Sequence, residues 1–273
     1  MGNEVLKKRK FLMCKPTHLH EISYKINPFM KKGEKVDNAL ALKQHADLVQ
    51  VLEENGAEVE FIEQQEGLID MIYTANAGLA YEDKFILSNF KNLERRAEAQ
   101  HYIKWAKEKK YEIISLPSEI FFEGQADVAW IDDKNCFMAY GDLRTNERAI
   151  EAVQKELEGV NIIPLKLVDE NFFHLDTCLR ILENKEMMYF RQAFDEESQK
   201  RIEKEASQKF FLTEEEAEWY LCNSIKFGRE LIVHKCLWIA ESYLNYEKYK
   251  VQKVDISELR KGGGSVECMV MEI

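Results

Sequence analysis

Near its C-terminus the chain reads Lys261-Gly262-Gly263-Gly264-Ser265-Val266-Glu267-Cys268-Met269. A thiol just after a glycine-rich turn is a candidate nucleophile, because glycine lets backbone approach a ligand and take dihedrals other residues avoid. Residue types alone weigh this evenly against a cysteine that only packs. The loop lacks the G-x-x-x-x-G-K-[ST] spacing of a phosphate cradle. Upstream, Phe172-Phe173-His174-Leu175-Asp176-Thr177 places an imidazole two residues from a carboxylate. In a strand both side chains share a face and can supply an acid/base and a carboxylate to one pocket. A satisfied polar pair is the plainer alternative. Phe121-Phe122-Glu123-Gly124-Gln125-Ala126-Asp127 sets two more carboxylates among apolar residues. Once buried, they need a cation or an imidazolium as partner. Thr74-Ala75-Asn76-Ala77-Gly78 is small and polar within an apolar run, and Asn76 can both donate and accept. Arg144-Thr145-Asn146 offers a guanidinium suited to a carboxylate, or a surface Arg before a helix N-cap.

The elements that would position these residues alternate strand and helix. Lys10 to Lys15 reads as a buried strand, Val36 to Glu54 as a helix stopped by Asn55-Gly56, and Glu58 to Ile62 as a strand. Lys84 to Ser88 and Glu112 to Leu116 read as strands around a helix from Leu93 to Lys110. Val128 to Ile131 and Cys136 to Tyr140 form a hairpin, followed by a helix from Asn146 to Glu158 and a strand from Ile162 to Leu167. His174 to Leu182 and Met187 to Phe190 come next. Asp195 to Lys209 reads as one charged surface helix within a charged insert from Glu183 to Thr213. Thr213-Glu214-Glu215-Glu216 is a capping box. A helix from Leu237 to Tyr246 and closing strands from Val251 to Ile256 and from Val266 to Ile273 complete the pattern.

The 273 residues carry no Pro/Gly/Ser-rich linker, and 45% are hydrophobic, so one large domain is expected over 11–273 behind a flexible basic arm over 1–10. A net charge of −11 argues against a nucleic-acid partner. No run approaches the ~18 apolar residues of a membrane span. The six cysteines form no C-x-x-C pair, and no secretory signal precedes them. Reduced thiols in a cytoplasmic protein are therefore expected, with no metal site.

Taken in order, Thr-Ala-Asn-Ala-Gly, Phe-Glu-Gly-x-x-Asp, Arg-Thr-Asn, Phe-His-Leu-Asp-Thr and Gly-Gly-Gly-Ser-Val-x-Cys-Met resemble the guanidine-modifying enzyme superfamily. That superfamily holds arginine deiminases, dimethylarginine dimethylaminohydrolases, glycine amidinotransferases and arginine dihydrolases. The match runs from Cys14-Lys15-Pro16 and Tyr24-Lys25-Ile26-Asn27-Pro28 to Cys268. The resemblance implies an α/β fold, a five-bladed α/β propeller (pentein) of ββαβ modules with the active site on the central axis. It implies Cys268 as nucleophile, His174 as acid/base and Glu123 as the carboxylate that orients the imidazole. Substrate contacts are implied for Asn27, Asp70, Asn76, Arg95, Arg144 and Asp176, with Asp176 on the guanidinium and the two arginines on the substrate carboxylate.

Two departures qualify it. Deiminases carry Asp where this chain has Asn76, whereas the dihydrolases carry Asn. An amide can donate to a ureido oxygen, which an ionised carboxylate cannot. One extra residue separates Glu123 from Asp127, which leaves Asp127 open as the histidine's partner. The implied activity is cysteine-dependent hydrolysis of the guanidine carbon of arginine, closest to an arginine dihydrolase and with no cofactor. Dimethylarginine hydrolase, citrulline hydrolase and amidinotransferase are the rival enzymes, and an amino-acid-binding protein is the non-catalytic alternative. The partner is a small molecule; a homo-oligomer is left open.

Overall fold

The computed structural model describes residues 8–273. Each segment of the chain builds the same unit: an inner strand, a hairpin to an antiparallel central strand, a helix, and an outer strand parallel to the centre. One unit has β3 (Gly78–Tyr81), β4 (Lys84–Leu87), α2 (Ala99–Glu108) and β5 (Glu112–Ser115). The next has β6 (Val128–Asp132), β7 (Asn135–Tyr140), α3 (Arg148–Glu156) and β8 (Asn161–Lys166). A short helix, α4 (Leu175–Cys178), leads into β9 (Leu179–Ile181), β10 (Glu186–Tyr189), α5 (Glu196–Glu205) and β11 (Gln208–Phe211). After α6 (Glu214–Glu218) come β12 (Ile225–Phe227), β13 (Glu230–Val233), α7 (Trp238–Tyr246) and β14 (Lys250–Lys253). The fifth unit is shared between the chain ends. β1 (Lys10–Cys14), α1 (Asn38–Glu54) and β2 (Glu58–Ile62) receive their inner strand from β15 (Met271–Glu272). That pairing joins the two ends of the chain in one sheet and makes five ββαβ blades, the propeller expected from the resemblance.

Local chemistry accounts for the elements. In α1 the residues Ala41, Gln44, His45, Leu48 and Leu52 are buried at helical spacing, Asp37 caps the start by accepting from Leu40 N–H, and the chain turns out at Gly56 with φ +86°. The capping box at Thr213 forms as read, with Glu216 accepting from Thr213 N–H. The apolar faces of helices and central strands meet in clusters between blades, for example Phe11, Met13, Leu48 and Leu52 with Ile232 and Val270.

Several expectations are corrected. Lys10, which the expected arm and the expected first strand share, belongs to the strand: it opens β1 and pairs with Glu60 at 2.5 Å, and Arg9 forks onto Glu272 at 2.8 and 2.9 Å. The rest of the expected arm, residues 1–7, lies outside the described residues. The segment expected as one helix over Asp195 to Lys209 is α5 followed by β11, so the charged stretch from Glu183 to Thr213 is part of a regular blade rather than an insert. The strand condition under which His174 and Asp176 would share a face is not met. His174 is extended (φ −133°, ψ 152°), and Leu175–Cys178 is a helical turn. Of the strand expected over Val266 to Ile273, only Met271–Glu272 pairs, and Cys268 sits on a 3-10 turn, Glu267–Met269. Among the described residues all six cysteines are free and buried.

Candidate active site

Short helical turns position the candidate site residues. Blade after blade, the chain makes a short turn just before its inner strand. Thr74–Asn76 precedes β3, Gly124–Asp127 precedes β6, Leu175–Cys178 precedes β9, and Glu267–Met269 precedes β15. The segment before β12 turns likewise, with Asn223 N–H donating to Tyr220 C=O at 2.9 Å and Tyr220 at positive φ. Asn76, Glu123, His174, Asn223 and Cys268 lie in or beside these five segments, one per blade. Thr74 Oγ1 staples the first turn to the last, donating to Met269 C=O at 2.9 Å.

His174 is 2% exposed, and its Nε2 lies 2.9 Å from Glu123 Oε2. Glu123 is fully buried and also accepts from Arg144 Nη1 at 3.1 Å. Burial alone would raise the Glu123 carboxyl, but Arg144 and the His174 hydrogen bond outweigh it and hold the group at about 2. Burial pushes His174 down to about 4 despite Glu123, so the imidazole is neutral near pH 7. With Nε2–H facing the carboxylate, Nδ1 is the acceptor, and Asn76 Nδ2 lies 3.5 Å from it. The alternative partner, Asp127, is engaged elsewhere. It accepts from Thr145 Oγ1 at 2.6 Å and from Leu175 N–H at 3.2 Å, which anchors the turn carrying His174.

Two residues on, Asp176 meets the sulfur: Cys268 Sγ to Asp176 Oδ2 is 3.5 Å. Burial pushes the Asp176 carboxyl up to about 7, with Glu267 adding repulsion. Burial likewise pushes the Cys268 thiol up, and Asp176 adds to it. His174 and Asp176 thus tie thiol and imidazole to neighbouring positions of one short segment.

The remaining expected residues surround this pair. Asn76 Oδ1 accepts from Arg95 Nη1 at 2.7 Å. Arg95, 2% exposed, forks onto Glu98 at 2.8 and 2.9 Å, donates to Asp70 C=O at 3.1 Å, and stacks on Phe90 with 4.5 Å to the centroid. Asp70 Oδ2 accepts from Tyr24 Oη at 3.1 Å, and burial raises its carboxyl. Arg144 also donates to Ile26 C=O at 3.1 Å and lies over Phe173. Asn27 stands apart from the reacting groups. Its Nδ2 donates to Gly262 C=O at 3.2 Å, and its Oδ1 accepts from the N–H groups of Phe29 and Met30. The glycine turn serves this packing: Gly263 has φ +86°, a Cβ there would overlap the Asn27 side chain, and one on Gly262 or Gly264 would overlap the Tyr73 ring.

A cavity of about 1120 Å³ borders the cluster. Asp176, Ala75, Arg180 and Glu267 are in its lining, while Cys268, His174, Glu123 and both arginines are not. Asp176 is therefore the expected site residue that this space touches.

Two important residues carried no obvious signal in the sequence. Glu98 is fully buried as the counter-ion of Arg95. Asn223, also fully buried, donates from Nδ2 to Cys268 Sγ at 3.1 Å. A polar Asn-Ser pair inside the apolar stretch before β12, at the same blade position as Thr-Ala-Asn before β3, would have marked it. Among the described residues no group of three or more His, Cys, Asp or Glu is placed to hold a metal, and no helix is long and apolar enough to cross a membrane.

Comparison with known proteins agrees with this architecture. The chain is 30% identical over 97% of its length to the bifunctional arginine dihydrolase/ornithine cyclodeaminase AgrE of Nostoc, of which it spans 38%. It is 30% identical to the N(G),N(G)-dimethylarginine dimethylaminohydrolase of Mycobacterium tuberculosis, covering 97% of this chain and 86% of that protein. The crystal structure of the N-terminal domain of ArgZ bound to substrate, an arginine dihydrolase from cyanobacteria, superposes with a TM-score of 0.92 at 28% identity, covering 97% of this chain and 98% of that one. Residues 16–273 match the family described as N,N dimethylarginine dimethylhydrolase, eukaryotic. With nearly its whole length matched, the chain belongs to that family of the guanidine-modifying superfamily.

Proposed function

We propose that the protein is a cysteine-dependent hydrolase of the guanidine carbon, and that its substrate is arginine, carried through to ornithine. One observation carries the reading: His174, on Glu123, and Asp176, beside Cys268 Sγ, stand two residues apart on one short segment, which brings the imidazole and the sulfur to one place.

The chemistry follows from the charges. A guanidinium beside Asp176 replaces the cation that this carboxylate lacks and favours the thiolate. The thiol proton passes to His174 Nδ1, the thiolate attacks the guanidine carbon, and the imidazolium returns that proton to the departing nitrogen as ammonia leaves. Water then gives a proton to neutral His174 and attacks the thiouronium. Collapse expels the thiolate, which recovers the proton and releases citrulline. A second round on the ureido carbon consumes another water and yields ornithine, carbon dioxide and a second ammonia. Glu123, held ionised by Arg144, fixes the ring and stabilises the transient imidazolium.

Asn76 supports the second round. Arg95, clamped by Glu98, occupies its carbonyl, so the amide presents its NH₂ toward His174 and the reacting centre. An NH₂ suits a ureido oxygen; an ionised carboxylate does not. The family match favours a second reading, dimethylarginine hydrolysis.

Product analysis separates the two. The purified chain is given L-arginine, L-citrulline or dimethylarginine, and ammonia, dimethylamine, citrulline and ornithine are measured. Two ammonia per ornithine from arginine, with citrulline also consumed, supports the dihydrolase. Turnover of dimethylarginine alone, stopping at citrulline, overturns it.

A further inference from the structure

We infer that Asn223 is a catalytic residue that stabilises the Cys268 thiolate through a single oriented N–H. The inference rests on Cys268 being the nucleophile, as proposed above.

The amide orientation is dictated by its neighbours. Two backbone donors converge on Asn223 Oδ1, Glu267 N–H at 2.8 Å and Cys268 N–H at 3.2 Å. Only the carbonyl end can accept both, so Nδ2 must face the sulfur, 3.1 Å away. Side chain and turn thereby close a small ring through the backbone and sulfur of one residue. The site also gives this donor a task. Burial and the Asp176 carboxylate both oppose ionisation of Cys268. Acting the other way are the Ser265 N–H and the Asn223 amide. An N–H bonded to sulfur is worth far more to a thiolate than to a thiol, because a charged acceptor roughly doubles the strength of the bond. The same N–H favours sulfur as the leaving group when the thiouronium or thiocarbamate collapses. Asn223 thus acts at both ends of each round, and it is the contribution of the blade whose turn precedes β12.

Asn223→Asp is the discriminating variant. It keeps an acceptor for both backbone N–H groups but replaces the donor with a charge that would itself raise Cys268. The neutral near-isostere Asn223→Leu, which removes the donor without adding charge, is therefore read beside it and must shift the titration in the same direction. Iodoacetamide labelling of Cys268 across pH, together with steady-state ammonia release from arginine, reads the effect. The expected result is a Cys268 titration displaced upward, labelling at neutral pH at least about tenfold slower but recovering at high pH, and kcat lowered about 100-fold. An unshifted titration, or a loss equal at every pH, overturns the inference. The wild-type chain supplies a second readout that does not depend on the variant folding. The Asn223 side-chain NH₂ resonance should titrate with the pH dependence of Cys268 labelling and cease to do so in Cys268→Ala. A resonance flat across that range also overturns it. Turnover of arginine by Cys268→Ala would instead refute the nucleophile assignment, whatever Asn223 does.

Discussion

The two halves of the candidate active site differ in burial and in their provision of charge: Glu98, Glu123, His174, Arg95 and Arg144 are buried, whereas Asp176 and Arg180 beside the sulfur are only half-buried. On the imidazole side the protein supplies its own counter-ions: Arg144 beside Glu123, and Glu98 forked onto Arg95. Glu123 consequently sits at about 2, ionised at any working pH. On the sulfur side Arg180 is paired with Glu267 at 2.8 Å, Arg260 interacts electrostatically with Cys268 while its guanidinium donates to the Trp219 and Glu218 carbonyls, and Asp176 sits at about 7. The imidazole side is paired internally, although burial lifts the Glu98 carboxyl to about 7 as well, against the pull of Arg95. Under the proposed function a cationic substrate would add the missing positive charge beside Asp176, which is the physical basis for expecting a guanidinium there and for coupling thiol ionisation to binding.

Removing a member of the imidazole side should have the largest effect. His174→Asn is expected to lower kcat for ammonia release from arginine about 1,000-fold, within the range of positioned general acid–base catalysis, with little change in KM. A change below tenfold would mean the proton moves by another route. On the same side, Glu98→Gln should cost about 3–5 kcal/mol of stability in urea denaturation, because it leaves Arg95 buried and underpaired. It should also release Asn76 and so reduce citrulline turnover more than arginine turnover.

The sulfur side should behave in the opposite way. Asp176→Asn is expected to lower kcat/KM for cationic arginine about 100-fold, and for neutral citrulline by clearly less. The same variant should be more stable than wild type at pH 8, by about 1–3 kcal/mol. The sign follows from linkage. The Asp176 carboxyl is raised above its unfolded value of about 3.9, so its contribution is fully present below pH ~4 and is lost as pH rises through about 7. The gain from Asp176→Asn should therefore vanish in acid. A variant destabilised at pH 8 would show that the two halves are not electrostatically different.

The smallest effect is in the pH profile. The kcat/KM for arginine should fall as pH drops through about 7, by up to tenfold per unit, because Asp176 becomes protonated and loses its attraction for a cation. His174, neutral down to about 4, does not contribute in that window, whereas Glu98, lifted by burial to about 7, adds a smaller share through Arg95 and Asn76. Asp176→Asn should flatten the limb.

Much of this was legible in the residues. β2 and the helices α1 and α7 follow from periodicity and turn signals, and the candidate reacting groups are singled out by the order of their motifs, which carries the family resemblance. What stayed hidden has physical reasons. Short apolar runs read equally as strand or helix, so periodicity does not reveal the helical turns at Leu175–Cys178 and Glu267–Met269, the second of which lies inside an expected strand. Spacing left Glu123 and Asp127 as rivals for His174, and only Thr145 and Leu175, which occupy Asp127, separate them. Glu98 and Asn223 are ordinary residue types whose importance lies wholly in their buried partners. The glycine turn was read as room for ligand, whereas Tyr73 and Asn27 fill it.

The central claim is that the Cys268 sulfur becomes bonded to the substrate's guanidine carbon. Acid quench during turnover of arginine, followed by mass analysis of the peptide bearing Cys268, tests it directly. The account predicts an adduct on Cys268 with the mass of arginine less ammonia, strengthened when water attack is slowed and absent in Cys268→Ala. An unmodified Cys268 peptide throughout rapid turnover, or an adduct on any of the other five cysteines, would contradict it.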